Sequence, residues 1–233
     1  MNPSRHTLQR QQTRPAHFLA VILAVFMAGL AFSSMGLAAT GTTTVVTSSA
    51  PLPNPGQALT FTATVTPASG PTGTVQFQID GSNAGSPASL NGNTATYTTS
   101  TLASGTHSVV AVYSGNSNFS GSTSSTFTQS INSPPTVATA ASATPSTITG
   151  NTTALSVVGA DVDTGQSSLT YTWATTGTPP AAVSYSLNGT NAAQNTTATF
   201  SKAGTYNFQV TMTDPGGLTA ASSVTVTVNQ TLN

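Results

Sequence analysis

The 233-residue chain has no cysteine and no glutamate, and only 3% of its residues are charged. An ordinary soluble domain is charged at about a quarter of its positions. Without cysteine there is no disulfide framework, no thiolate metal centre and no thiol nucleophile. Lys and Arg together number four. That excludes a surface able to neutralise several phosphates, so no nucleic-acid partner is expected.

The few cations are unevenly placed. Arg5, Arg10 and Arg14 precede an apolar run from Phe18 to Phe32, and small residues follow up to Gly36-Leu37-Ala38-Ala39. A basic start, an apolar middle and a small-residue end make a secretory signal peptide, with Gly36 and Ala38 at the −3 and −1 positions and cleavage after Ala38. An uncleaved membrane anchor is the alternative, because the run extends to about the 20 residues that span a bilayer. The membrane would then be a partner through this leader alone.

Past residue 38 one lysine, Lys202, stands against Asp80, Asp161, Asp163 and Asp214, and His107 is the one histidine. Threonine supplies more than a fifth of this stretch. Solubility therefore comes from hydroxyls and amides rather than ions, which leaves the surface insensitive to salt.

The patterning is that of strands. Leu59, Phe61, Ala63 and Val65 alternate with threonines. So do Leu169, Tyr171 and Trp173, and Val224, Val226 and Val228. Tyr206, Phe208, Val210 and Met212 alternate with Asn207, Gln209, Thr211 and Thr213. Period two with one apolar face is the mark of half-buried antiparallel sheets. Turn clusters such as Asp80-Gly81, Asn91-Gly92 and Asp214-Pro215-Gly216-Gly217 separate the runs. Asn132-Ser133-Pro134-Pro135 reads as a linker. Ser104-Gly105-Thr106-His107 recurs as Ala203-Gly204-Thr205-Tyr206, about a domain's length away. The expected fold is all-β: two tandem Ig-like antiparallel β-sandwiches at 39–132 and 136–233, joined by a 133–135 linker and preceded by a signal or anchor helix over 1–38.

Residues 42–132 carry Val45-Val46-Thr47-Ser48-Ser49, Thr60-Phe61-Thr62-Ala63-Thr64-Val65, Pro71-Thr72-Gly73-Thr74-Val75 and Ala111-Val112-Tyr113-Ser114-Gly115-Asn116. This half resembles the bacterial Ig-like repeats of secreted and cell-surface proteins. Residues 136–229 carry Asp161-Val162-Asp163, Leu169-Thr170-Tyr171-Thr172-Trp173 and Thr213-Asp214-Pro215-Gly216-Gly217. They resemble PKD-type and cadherin-like modules, although Ala174-Thr175-Thr176-Gly177 stands where PKD domains have Gly-Asp-Gly. The resemblance implies a spacer, an adhesin stalk or an accessory module, and it carries no catalytic residues.

Nucleophilic catalysis needs a base beside the nucleophile. His107 is the one candidate, and it occupies the strand-corner position that Tyr206 holds in the second half. It is therefore expected to be a structural hydrogen-bonder, and the protein is expected not to be an enzyme. The sharpest candidate site is Asp161, Asp163 and Asp214. The loops after the second strand and before the last one emerge at the same end of an Ig-like sandwich. Their carboxylates would then supply hard oxygens for Ca²⁺. The competing reading makes them turn-forming aspartates that bind their own loops. No other cofactor is required.

Trp173, Tyr171, Phe77, Tyr97, Phe61 and Phe208 read as core. Tyr113, Phe119 and Tyr185 lie near strand ends or loops and offer a sugar-stacking surface; the alternative function is a carbohydrate- or surface-polymer-binding module that uses the loop around Tyr113, Asn116, Asn118 and Phe119 or the aspartate end. The expected partner is an extracellular protein or glycan. Uncharged edges such as Val224–Val228 invite self-association. Outward threonine rows such as Thr60-Thr62-Thr64-Thr66 suit a flat lattice, which a twisted sheet matches poorly.

Overall fold

The computed structural model describes residues 38–67 and 69–229. The leader expected at the N-terminus falls, up to residue 37, outside the described residues. Among the described residues the regular structure is β-strand with two short 3-10 turns. None of their helices is long and apolar enough to cross a membrane.

The first sandwich pairs two sheets. One has the order β1 (Thr43–Ser48), β2 (Leu59–Thr66), β5 (Thr94–Thr99). The other has β4 (Ser82–Ser89), β3 (Thr74–Ile79) and β6 (Gly105–Tyr113), with β7 (Ser122–Thr123) and β8 (Phe127–Ile131) both paired to β6. Alternation places the inward set together: Leu59, Phe61, Ala63 and Val65 of β2 face Val75 and Phe77 of β3 and Val109, Ala111 and Tyr113 of β6 in one buried cluster. Tyr97 stacks on Phe77 with ring centroids 5.9 Å apart. The β3–β4 hairpin turns on Asp80-Gly81, both at positive φ (50° and 77°). That is the turn whose twist matches the flanking strands, and Asp and Gly tolerate it.

The second sandwich begins at β9 (Thr136–Thr144). Its sheets are β13 (Ser184–Tyr185), β14 (Asn195–Thr199), β11 (Thr152–Ala160), β9, and β10 (Thr147–Ile148), β16 (Thr219–Val228), β15 (Gly204–Thr213), β12 (Thr170–Thr176). Its separate core is built around Trp173, Tyr171, Tyr206, Phe208 and Met212. The Trp173 indole N–H donates to the Ala193 carbonyl at 2.8 Å, which satisfies the polar atom of the largest core residue.

The sheet edges are covered unevenly. β16 is paired with β15 along its whole length, and Thr227 and Val228 also pair with β10 in parallel. Within the Val224–Val228 stretch the short strand covers the last two residues, and Val224–Val226 pair on one side only. β4 is an edge strand, and it contains Gly85 and Pro87 and a register shift against β3. These features blunt pairing with another chain.

Candidate functional site at the junction of the sandwiches

The segment between β8 and β9 is Asn132-Ser133-Pro134-Pro135. Two prolines have no N–H to give. The two amides that remain are both used. Asn132 N–H donates to the Pro53 carbonyl at 2.9 Å, in the β1–β2 loop of the first sandwich. Ser133 N–H donates to Asp163 Oδ2 at 2.6 Å, in the β11–β12 loop of the second.

The Asn132 side chain lies at the centre of this junction and is 1% exposed. Its Nδ2 donates to Asn54 Oδ1 of the first sandwich at 2.8 Å and to Asp214 Oδ2 of the second at 2.9 Å. Asn54 Nδ2 in turn donates to the Gly216 carbonyl at 2.8 Å. Gly216 sits so close that a Cβ there would fall onto Asn132 Nδ2 and lie 2.6 Å from Asn54 Oδ1. A side-chain-free residue is what lets the β15–β16 turn approach the other sandwich.

The three sequence-predicted aspartates all lie at this end, and they divide into different tasks. Asp214 is 5% exposed and has both oxygens occupied: Oδ1 accepts from Leu218 N–H at 2.8 Å, closing its own turn, and Oδ2 accepts from Asn132. Asp161 Oδ1 accepts from the amides of Asp163 and Thr164 at 2.9 and 2.7 Å and from the Thr164 hydroxyl at 3.0 Å, an Asx-turn. Asp161 Oδ2 is buried and has no hydrogen-bond partner. Asp163 spends Oδ2 on Ser133. Among the described residues no three His, Cys, Asp or Glu side chains are placed to hold one metal ion together. Sequence reasoning missed Asn54 and Asn132. Asn132 reads as a linker residue and Asn54 lies beside the Pro55-Gly56 turn pair, and nothing in their local patterns distinguishes them from other loop asparagines.

His107 is at the opposite task. Its Nδ1 lies 2.7 Å from Asp80 Oδ2 and its Nε2 3.0 Å from the Ala103 carbonyl. Tyr206 O–H donates to the Lys202 carbonyl at 2.8 Å, the same four-residue reach back. The predicted equivalence of His107 and Tyr206 at the strand corner is what the structure shows. The Asp80 hydrogen bond raises the imidazole pKa, and the same bond lowers that of Asp80. With both ring nitrogens facing acceptors, this histidine has none free to serve as a general base.

The carbohydrate-stacking set is also engaged internally. Tyr113 is 1% exposed and donates to the Thr72 carbonyl at 2.7 Å. Asn116 Oδ1 accepts from the amides of Asn118 and Phe119, and the Phe119 ring packs over Gly70. Tyr185 is half-buried against Phe208, and burial pushes its phenol pKa up to about 12. Tyr113 thus belongs to the core, while Phe119 and Tyr185 are partly buried.

Comparison with known proteins places both halves. Residues 43–132 match the family model of the bacterial Ig-like domain, group 3, and residues 143–228 match that of the K319L-like PKD domain. No curated protein sequence matches the chain. Among solved structures, one on host cell surface retention of a 1.5-MDa bacterial ice-binding adhesin is similar at a TM-score of 0.51 and 16% identity, covering 84% of this chain and 66% of that one. The C-terminal 282-residue fragment of intimin, solved with the intimin-binding domain of its translocated receptor, gives 0.40 and 17%, over 79% and 63%. The adhesin FdeC of Escherichia coli gives 0.36 and 18%, also over 79% and 63%. At these identities the likeness is one of fold. The chain is a tandem of a bacterial Ig-like domain and a K319L-like PKD domain.

Proposed function

We propose that the protein is a non-enzymatic, extracytoplasmic spacer or adhesion module whose two sandwiches are held in a fixed mutual orientation. The observation that carries this is the Asn132 junction. One buried amide is bonded simultaneously to a loop of each sandwich, and each amide of the linker is bonded to a different sandwich. A hinge would leave these groups to water. The two families and the uncharged, threonine-rich exterior support a role outside the cytoplasm. The ice-binding adhesin of similar fold is described in the context of retention at a host cell surface.

The absence of cysteine makes the test clean. Thr96→Cys and Thr172→Cys place one thiol on an exposed strand position of each sandwich. A membrane-impermeant spin label added to intact cells and medium reports location by whether it reacts. The distance distribution between the two labels then reports stiffness. Labelling with a single narrow distribution is expected, and Gly216→Ala should broaden it by displacing Asn132. Thiols protected until lysis, or a broad distribution in the parent chain, would overturn the proposal.

A further inference from the structure

Two buried oxygens at the junction have no hydrogen-bond partner: Asn132 Oδ1 and Asp161 Oδ2. Buried polar atoms in native proteins are almost always satisfied, and each exception calls for a physical explanation. Both orphans here are acceptors, and one belongs to a carboxylate, which has no hydrogen to donate.

The amide orientation of Asn132 is fixed. Its Nδ2 faces two oxygens, Asn54 Oδ1 and Asp214 Oδ2. Turning the group over would set oxygen against oxygen, so the unpartnered atom is the carbonyl. The surroundings repeat the imbalance. Asp161 Oδ1 holds the Asp163 amide, Asp163 Oδ2 holds the Ser133 amide, and Ser133 follows Asn132. Asp163 Oδ1 makes no hydrogen bond among the described residues.

No countercharge is at hand. The one Lys or Arg among the described residues is Lys202. It precedes β15, whereas Asp214 follows that strand's end, and ten residues of strand amount to about 33 Å. His107 is committed to Asp80 in the first sandwich. Two buried, unpartnered acceptor oxygens beside carboxylates, with no cationic side chain near, call for water donors or for a cation from solution.

We propose that the junction binds one calcium-class divalent cation through Asp161 Oδ2, Asp163 Oδ1 and the Asn132 side-chain carbonyl. This deepens the spacer reading, on which its biological meaning rests, since the ion would tie the linker to the second sandwich. Asp214, a ligand by sequence expectation, has each oxygen engaged in a hydrogen bond and is left out of this set. Asn132 replaces it. The donor set is all oxygen and includes a neutral carbonyl. Calcium accepts such irregular sets and completes its six to eight ligands with water, whereas magnesium demands a near-ideal octahedron, and thiolate- or imidazole-seeking metals find no donors here.

The test is calorimetric titration of the full chain, freed of metal, with CaCl₂ and separately with MgCl₂. One calcium per chain is expected, with a Kd in the range of about 0.1–1 mM that extracellular modules show. Magnesium should bind at least tenfold more weakly. Asp161→Asn and Asp163→Asn should each weaken calcium at least tenfold. Absence of calcium binding at ten times that range, or binding unchanged in both Asp161→Asn and Asp163→Asn, would overturn the site and leave the orphans to water. The spin-label distances, measured in chelator, keep the two ideas apart. A narrow distribution without calcium would preserve the spacer whatever the titration shows.

Discussion

At the scale of single residues, His107 and Asp80 form an ion pair in the first sandwich, and its contribution to stability is lost toward both ends of the pH scale. The Asp80 hydrogen bond raises the histidine pKa above its ordinary 6.5, so folding favours the imidazolium. That contribution is fully present below pH 6.5 and is lost as pH rises through the raised value. The Asp80 pKa is lowered from 3.8, so its contribution is present above pH 3.8 and is lost as pH falls through the lowered value. The pair therefore stabilises most between those limits, in mildly acidic solution. Asp80 is half-exposed, which keeps the effect small. Melting temperatures from pH 4 to 9 should fall on the alkaline side in the parent protein, and Asp80→Asn should flatten that fall. An unchanged alkaline slope in the variant would remove the pair from the account. The imidazole's position at a strand corner was legible from its match to Tyr206. Its partner was not, because Asp80 is 27 residues away and signals only a turn.

At the scale of elements, alternation told nearly everything that one face of a strand can tell. Leu59, Phe61 and Val65 are buried, as are Tyr171 and Trp173, and the threonines between them are not. Alternation is blind to contacts across the sandwich, and Gly159 illustrates this. It lies near the end of β11, where the pairing with β9 slips register. A Cβ there would meet the Leu169 and Met212 side chains at 2.8 and 2.9 Å, and the Gly159 N–H donates to the Tyr171 hydroxyl at 3.2 Å. Gly159→Ala should cost about 1–3 kcal/mol, the usual penalty for overpacking a tight core. Denaturant unfolding would read this as a lowered midpoint at unchanged slope, and a midpoint equal to the parent's would show that β11 shifts freely. Edges are another blind spot. The composition of Val224–Val228 gave no hint of β10, which is only two residues long.

At the scale of the whole molecule, the two cores share no residue, and the junction belongs to neither. The convergence of Asp161, Asp163 and Asp214 at one end followed from Ig-like topology alone. Which of them face the linker depends on loop conformations that no periodicity encodes. A protease must pair with the backbone of an extended segment before it can cut it, much as a strand pairs with its neighbour. From Asn132 to Pro135 the chain offers no free amide to pair with: two are already bonded to protein oxygens and the next two residues have none. Limited digestion should therefore spare these four residues while the folded loops elsewhere are cut, and an early cleavage between the sandwiches would show that the linker amides open readily. A connector that would ordinarily be the weakest point of a two-domain protein is, by this arrangement, expected to resist digestion for as long as both of its neighbours stay folded.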